Sequence, residues 1–336
     1  MKKGWIALAA AALLILGGCS SKRYFEPQEV VGEVEFDGEL PASIVDVLRD
    51  GATLENGMFI SRDGLEDYTM PKDWLFLNKA EGKYIVASRC GKLQVVDSVS
   101  KRPIYEKSFS MRSPTAANLK GPLLALVFDD NSLMLIDMPS DRILFEIKKP
   151  SAIANDTKIA NPFFLTRLVI FPTLDGKLSI VDPASGREIR TLVAGTHDYF
   201  NNVIYLNVID DILVAATSNK IIAVSPHYTS SLDVEISDVI YVEGRVYILT
   251  KDGRVILTDP SLNVLKTRKF PFAHFTGAIW GEYIYLIEKE GYIIALDKDL
   301  RSANIFEFPT EVEEYIFTAK DKVYYDDKYF ELNTSK

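Results

Sequence analysis

Leu174-Asp175-Gly176-Lys177-Leu178-Ser179-Ile180-Val181-Asp182 decides the fold, because close variants of this phrase recur along most of the 336 residues. Its plainest copies run from Cys90 to Asp97, from Asp252 to Asp259 and from Glu290 to Asp297. Weaker ones run from Asp130 to Asp137 and from Ser218 to Ser225. The closing Asp or Ser falls at 97, 137, 182, 225, 259 and 297, which gives steps of 40, 45, 43, 34 and 38 residues. Periods of this length belong to propellers, solenoids and similar arrays.

Each copy follows an apolar run, such as Arg167 to Phe171 or Arg245 to Leu249, across a polar turn of the Asp-Gly, Glu-Gly or Ser-Asn type. Two apolar runs joined in this way predict a β-hairpin. A further apolar stretch stands upstream (Asp238 to Val242 in one unit) and another downstream (Val264 to Thr267), so each unit supplies four strands, the content of a propeller blade. Apolar residues spaced at 3.6 scarcely occur after the first twenty positions, which excludes a solenoid of helix pairs.

Six units are plain, and Ala52 to Leu65 has the shape of one more. The C-terminal part offers three strands, over 314–318, 322–325 and 328–332, and lacks a fourth. The run Val30-Val31-Gly32-Glu33-Val34-Glu35-Phe36 is expected to supply it and close the ring. The reading is therefore all-β, a propeller of four-stranded blades over residues 30–336. Eight blades are favoured, and seven is the count if 52–65 is a loop.

Lys2 and Lys3 precede an apolar stretch from Trp5 to Leu16, too short to span a bilayer and suited to the core of a secretory signal. It ends in Leu16-Gly17-Gly18-Cys19, which resembles the lipobox of bacterial lipoproteins. The resemblance implies that 1–18 is a signal peptide cut before Cys19, that Cys19 carries the lipid, and that 19–29 is a tether. Ser20 and Ser21 follow, in place of the Asp that retains lipoproteins at an inner membrane, so the implied address is the periplasmic face of an outer membrane.

Removal of the signal takes away two lysines and leaves 36 Lys+Arg against 47 Asp+Glu, a net charge of −11. That balance disfavours a nucleic-acid partner. With Cys19 assigned to lipid, Cys90 has no intramolecular partner, and neither a disulfide framework nor a thiolate metal site can be built. Beside a hairpin turn, Cys90 reads as a partly buried structural thiol, with a reactive thiol as the alternative.

The run from Asp175 to Glu188 is similar to the repeat of pyrroloquinoline-quinone-type propellers. With the lipobox, the length and a single ring, the chain resembles the BamB-like lipoproteins of outer-membrane β-barrel assembly. That resemblance implies a non-enzymatic scaffold, a monomer within a larger complex, that holds the periplasmic domains of a BamA-type barrel-insertion protein through loops on one face. The corresponding segments are Ile153 to Ile159 and His197-Asp198-Tyr199-Phe200-Asn201-Asn202. This sequence departs from the family by lacking the Arg of the first segment, by placing amides at Asn201 and Asn202, and by carrying Ile189 where a Trp often follows the repeat glycine.

The chemistry of the alternatives is sparse. A quinone dehydrogenase of this fold implies a vicinal disulfide and a Ca²⁺ site, and Cys90 stands alone. His197, His227 and His274 lie in separate units, and neither a Gly-x-Ser-x-Gly elbow nor a phosphate-binding Gly-x-x-x-x-Gly-Lys occurs. The recurring Asp residues at 97, 137, 182, 259 and 297 stand at strand ends, where a carboxylate caps turn amides. No catalytic, cofactor-binding or metal-binding residue is assigned. The aromatic loop Phe270-Pro271-Phe272-Ala273-His274-Phe275 leaves a saccharide- or envelope-polymer-binding propeller as the alternative function.

Overall fold

A computed structural model describes residues 23–152 and 154–332; the signal peptide, Cys19, Ser20 and Ser21 lie outside the described residues. Eight sheets are present. In chain order they occupy residues 44–66, 74–108, 114–148, 163–193, 205–233, 236–269, 275–307 and 316–331, and are called blades 1 to 8. Each is an antiparallel meander whose first strand is innermost and whose fourth lies at the rim. The 52–65 stretch forms the last three strands of blade 1, which settles the count at eight.

The core is divided as a ring requires. Eight separate clusters of buried apolar side chains lie one between each pair of neighbouring blades, from Phe59, Phe76 and Tyr84 between blades 1 and 2 to Ile44, Ile60 and Phe317 between blades 8 and 1. Alternation along each strand sends one set of side chains toward the preceding blade and the other toward the next. Each Leu, Ile or Phe so buried contributes roughly 1.5–3 kcal/mol. The clusters between blades 4 and 5 and between blades 5 and 6 are largely aliphatic, whereas Phe59 stacks on Phe76 at 4.2 Å between blades 1 and 2 and Phe308, Tyr325 and Phe330 meet between blades 7 and 8.

The closing strand differs in position from the sequence reading. Of the run 30–36, only β1 (Gly32–Glu33) is a strand, and it pairs in parallel with the outer strand of blade 7 as a fifth member. The ring is closed by β2 (Gly38–Glu39), which pairs with the third strand of blade 8 through Gly38 and Tyr329. The reason is spacing: Val34 and Phe36 are the apolar residues of that run that find a crevice, between blades 7 and 8, and their burial there pulls the chain across before it can pair. Within the stretch read as a tether, Phe25 is buried against Phe270 and Tyr292, at 6.2 and 5.6 Å between ring centres.

The glycine of the repeated phrase serves the connection that follows. Gly91, Gly176, Gly253 and Gly291 adopt φ of 82°, 81°, 80° and 91° in the hairpin between second and third strands. The chain leaving each blade then crosses over that glycine, and the amides of Phe109, Ala194, Phe270 and Phe308 donate to their carbonyls at 2.7–2.9 Å. A Cβ on Gly253 would stand 2.1 Å from the Phe270 carbonyl oxygen. In a meander the blade-to-blade connections and these hairpins share one face of the ring, called here the connection face.

Candidate functional site

The inner strands enclose an axial channel with a cavity of 580 Å³. Charged groups meet across it. Arg49, in the turn that follows Ile44–Leu48 of blade 1, donates to Asp238 Oδ1 of blade 6 at 2.5 Å and to the Val239 carbonyl at 2.9 Å. Its guanidinium lies 5.4 Å from the centre of the Tyr205 ring. Lys158, in the connection into blade 4, donates to the other Asp238 oxygen at 2.9 Å. Burial alone would raise the Asp238 carboxyl, but Arg49 and Lys158 outweigh it and hold the group far below the usual carboxylate range.

A second bridge runs beside the first. Asn161 donates to Asp50 Oδ2 at 2.6 Å, while Arg62 donates to Asp50 Oδ1 at 3.1 Å and to the Thr318 carbonyl at 3.0 Å. The two bridges tie blades 1, 4, 6 and 8 together across the axis. Around the wall, Asn78 and Asn118 occupy matching positions on the inner strands of blades 2 and 3. Each reaches the next unit, donating to the Ala117 and Pro162 carbonyls at 3.0 and 2.8 Å. These polar ends are engaged by the chain itself, so the channel reads as a ring fastening.

The connection face has a different character. Of the six residues singled out there by the sequence, His197, Asp198, Tyr199 and Phe200 are exposed, the two aromatic rings at 57% and 50%. Asn201 and Asn202 are buried, so their side chains do not lie at the surface. Asn202 brackets Asp156, accepting its amide at 2.7 Å and donating to its carbonyl at 3.2 Å. Asn201 donates to the Asp175 carbonyl at 3.1 Å, and its Oδ1 has no partner. With Phe200 N donating to the Ala154 carbonyl, the 154–159 and 197–202 segments form one adjoining surface.

In the aromatic loop, Phe270 and Phe275 are core residues and Phe272 alone of the three is exposed. The Asp residues at strand ends cap turns: Asp97, Asp182, Asp259 and Asp297 accept the amides of Ser100, Ala184, Asn263 and Asp299 at 2.7–3.0 Å. Asp137 instead accepts the Ser140 hydroxyl. Among the described residues, no group of three or more His, Cys, Asp or Glu could hold a metal ion.

Cys90 is exposed, against the sequence reading, because the crossing over Gly91 occupies the inner side of the hairpin and leaves its neighbour outside. In the native protein Cys90 is expected to react with a maleimide within about tenfold of the rate of a free small thiol. Modification that waits for denaturant would contradict this placement.

The residues of the axial fastening escaped sequence reasoning. Arg49, Asp50, Lys158, Asn161 and Asp238 come from non-equivalent places in different units, and the repeat pattern carries no trace of them. The one available signal was Asp238 at the head of the apolar run Val239 to Val242 of an inner strand.

No family model matches the sequence. Among solved structures, the fold is similar to BamB from Moraxella catarrhalis, with a TM-score of 0.66 at 15% identity over 88% of this chain and 96% of that one. It is also similar to the C-terminal WD40 domain of Sif2, with a TM-score of 0.65 at 11% identity over 90% and 99%. The computationally designed Ika8 protein gives 0.60 at 11% identity, also over 90% and 99%. At these identities the likeness concerns the fold alone. In sequence, the chain is 31% identical to plasminogen-binding protein PgbB of Helicobacter pylori strains J99 and 26695, across the whole of this chain and 72% of the relative. Joined to the eight-bladed ring, kinship over that extent shows that this chain belongs to the PgbB family.

Proposed function

We propose that this chain is a non-enzymatic, lipid-anchored propeller of the cell envelope that binds a protein through its connection face. The observation that carries the reading is the 31% identity along the full chain to a protein named for binding another protein, plasminogen. The exposed Tyr199 and Phe200 support it, since aromatic rings held on a short connection bind at little entropic cost. Anchoring is assigned to Cys19. No described helix is long and apolar enough to cross a membrane.

The test is direct binding of plasminogen to the immobilised mature protein. Tyr199→Ala with Phe200→Ala is expected to weaken it by about 10- to 100-fold, the range for paired aromatic anchors. Absence of plasminogen binding by the wild-type chain would sink this partner assignment.

A second reading is favoured by one specific observation: the two segments matched to the partner contacts of BamB-like lipoproteins adjoin in space through Asn202 and Phe200. In this reading the chain is a scaffold on the periplasmic face of the outer membrane that holds a BamA-type protein. Affinity capture from detergent-solubilised envelopes would recover that partner, and repeated clean captures without it would remove the reading.

A further inference from the structure

We infer that the rim between blades 6 and 7 is a membrane-docking surface for anionic lipid headgroups, independent of the acyl anchor. The inference rests on the lipid-anchored reading only for where the bilayer lies. A groove of 860 Å³ runs there between the N-terminal segment and the two blades. Arg23, Arg268 and Lys269 line it together with Tyr24 and Phe272. Both aromatic rings are largely in solvent, at 53% and 44% exposed, and the Arg23 guanidinium lies 5.6 Å from the centre of the Phe272 ring. Aromatic rings beside cationic side chains suit the headgroup layer, where the ring enters the boundary and the charge stays with phosphate.

Two features select a lipid surface as the occupant. The first is reach. Phe25 is fixed in the crevice between blades 6 and 7, and Arg23 is four residues from Cys19, so the extended chain between them spans at most roughly 14 Å. A lipid on Cys19 therefore holds this rim, rather than some other part of the ring, at the bilayer surface.

The second is charge. Arg23, Arg268 and Lys269 against Glu26 and Glu29 leave the lining an excess of one positive charge, which Asp252, 3.8 Å from Lys269 and outside the lining, brings to zero. In a chain with a net charge of −9 that makes this rim a break in the acidic surface, with its cations on the solvent side. Anionic headgroups repel the acidic surface and admit this rim, where Arg23 and Lys269 meet phosphate, which orients the ring.

The test uses the full mature chain made with Cys19→Ser, so that it carries no lipid, and vesicles of phosphatidylcholine with or without about 30% phosphatidylglycerol. The unlipidated chain is expected to sediment with the anionic vesicles and not with the neutral ones, and to be released by salt. Arg23→Glu with Lys269→Glu should lower the partition about tenfold or more, and Phe272→Ala should lower it further. All three side chains are exposed, so unchanged melting of the variants shows that the ring is intact.

No partition into anionic vesicles, or partition unaffected by the charge reversals, would overturn the proposal. Reversals that spare vesicle binding but abolish capture of a protein partner would overturn it too, and make the rim a protein interface. The mass of the N-terminal peptide from envelope-derived wild-type protein reports the anchor separately. An acylated Cys19 with no vesicle binding by the Cys19→Ser chain rejects docking alone. Vesicle binding by a chain whose native form is unacylated rejects the anchor alone.

Discussion

Asp238→Ala is expected to cost about 3–5 kcal/mol of stability and to lower the melting temperature by roughly 5 to 10 °C. The large effect comes from what the substitution leaves behind. Arg49 and Lys158 both donate to this carboxylate inside the channel, and without it two cations remain in a poorly solvated space with only Asp50, already bridged to Arg62 and Asn161, to offset them. The double variant Asp238→Leu, Arg49→Met removes one charge of each sign and should recover part of the loss. Thermal melts of the three proteins at neutral pH check this, and an Asp238→Ala variant melting within about 1 °C of wild type would show that the axial bridge fastens nothing.

The same carboxylate fixes a pH dependence. Its folded-state pKa lies below its unfolded value, so its contribution to stability is fully present above the ordinary Asp range near about 4 and is lost as pH falls toward the depressed folded value. Between neutral pH and pH about 5 the destabilisation caused by Asp238→Ala should therefore stay constant. In stronger acid it should shrink, because the wild-type carboxyl becomes protonated as well.

Gly253→Ala provides the second large effect and separates two causes of glycine preference. Both Gly253 and Gly244 have positive φ, 80° and 81°. At Gly244 nothing lies within 4 Å of an added Cβ, so alanine there carries only the left-handed backbone strain, about 1 kcal/mol. At Gly253 the Cβ would also meet the Phe270 oxygen at 2.1 Å, and the connection into blade 7 must move. Gly253→Ala should cost about 3 kcal/mol or more, and Gly253→Val should impair folding outright. Equal melting temperatures for the two alanine variants would refute the crossing as the reason for the repeat glycine.

That glycine shows how much of the molecule was legible. The phrase from Leu174 to Asp182 carries alternation, a turn and a capping Asp, and these local rules fix the hairpin of blade 4 and its counterparts elsewhere. Ring closure needed a choice between nearby short stretches, 30–36 and 38–39, and tertiary burial of Val34 and Phe36 decided it in favour of the less apolar one. Asn201 and Asn202 are named by their position in the family's contact segment, and the buried blade junction uses them to satisfy backbone groups of Asp175 and Asp156. Arg49 and Asp238 stand 189 positions apart and meet only because the ring is round.

The pairing of Gly38 with Tyr329 has a kinetic consequence. The strand that leaves the ribosome near the start of synthesis finds its partner only after nearly three hundred further residues have been made, so closure is the last event and the one with the largest loop to organise. Until then blade 8 presents a bare edge, which can pair with a neighbouring molecule. Conditions that slow closure should therefore raise the yield of strand-exchanged dimers at the expense of monomer, with the blades themselves unaltered.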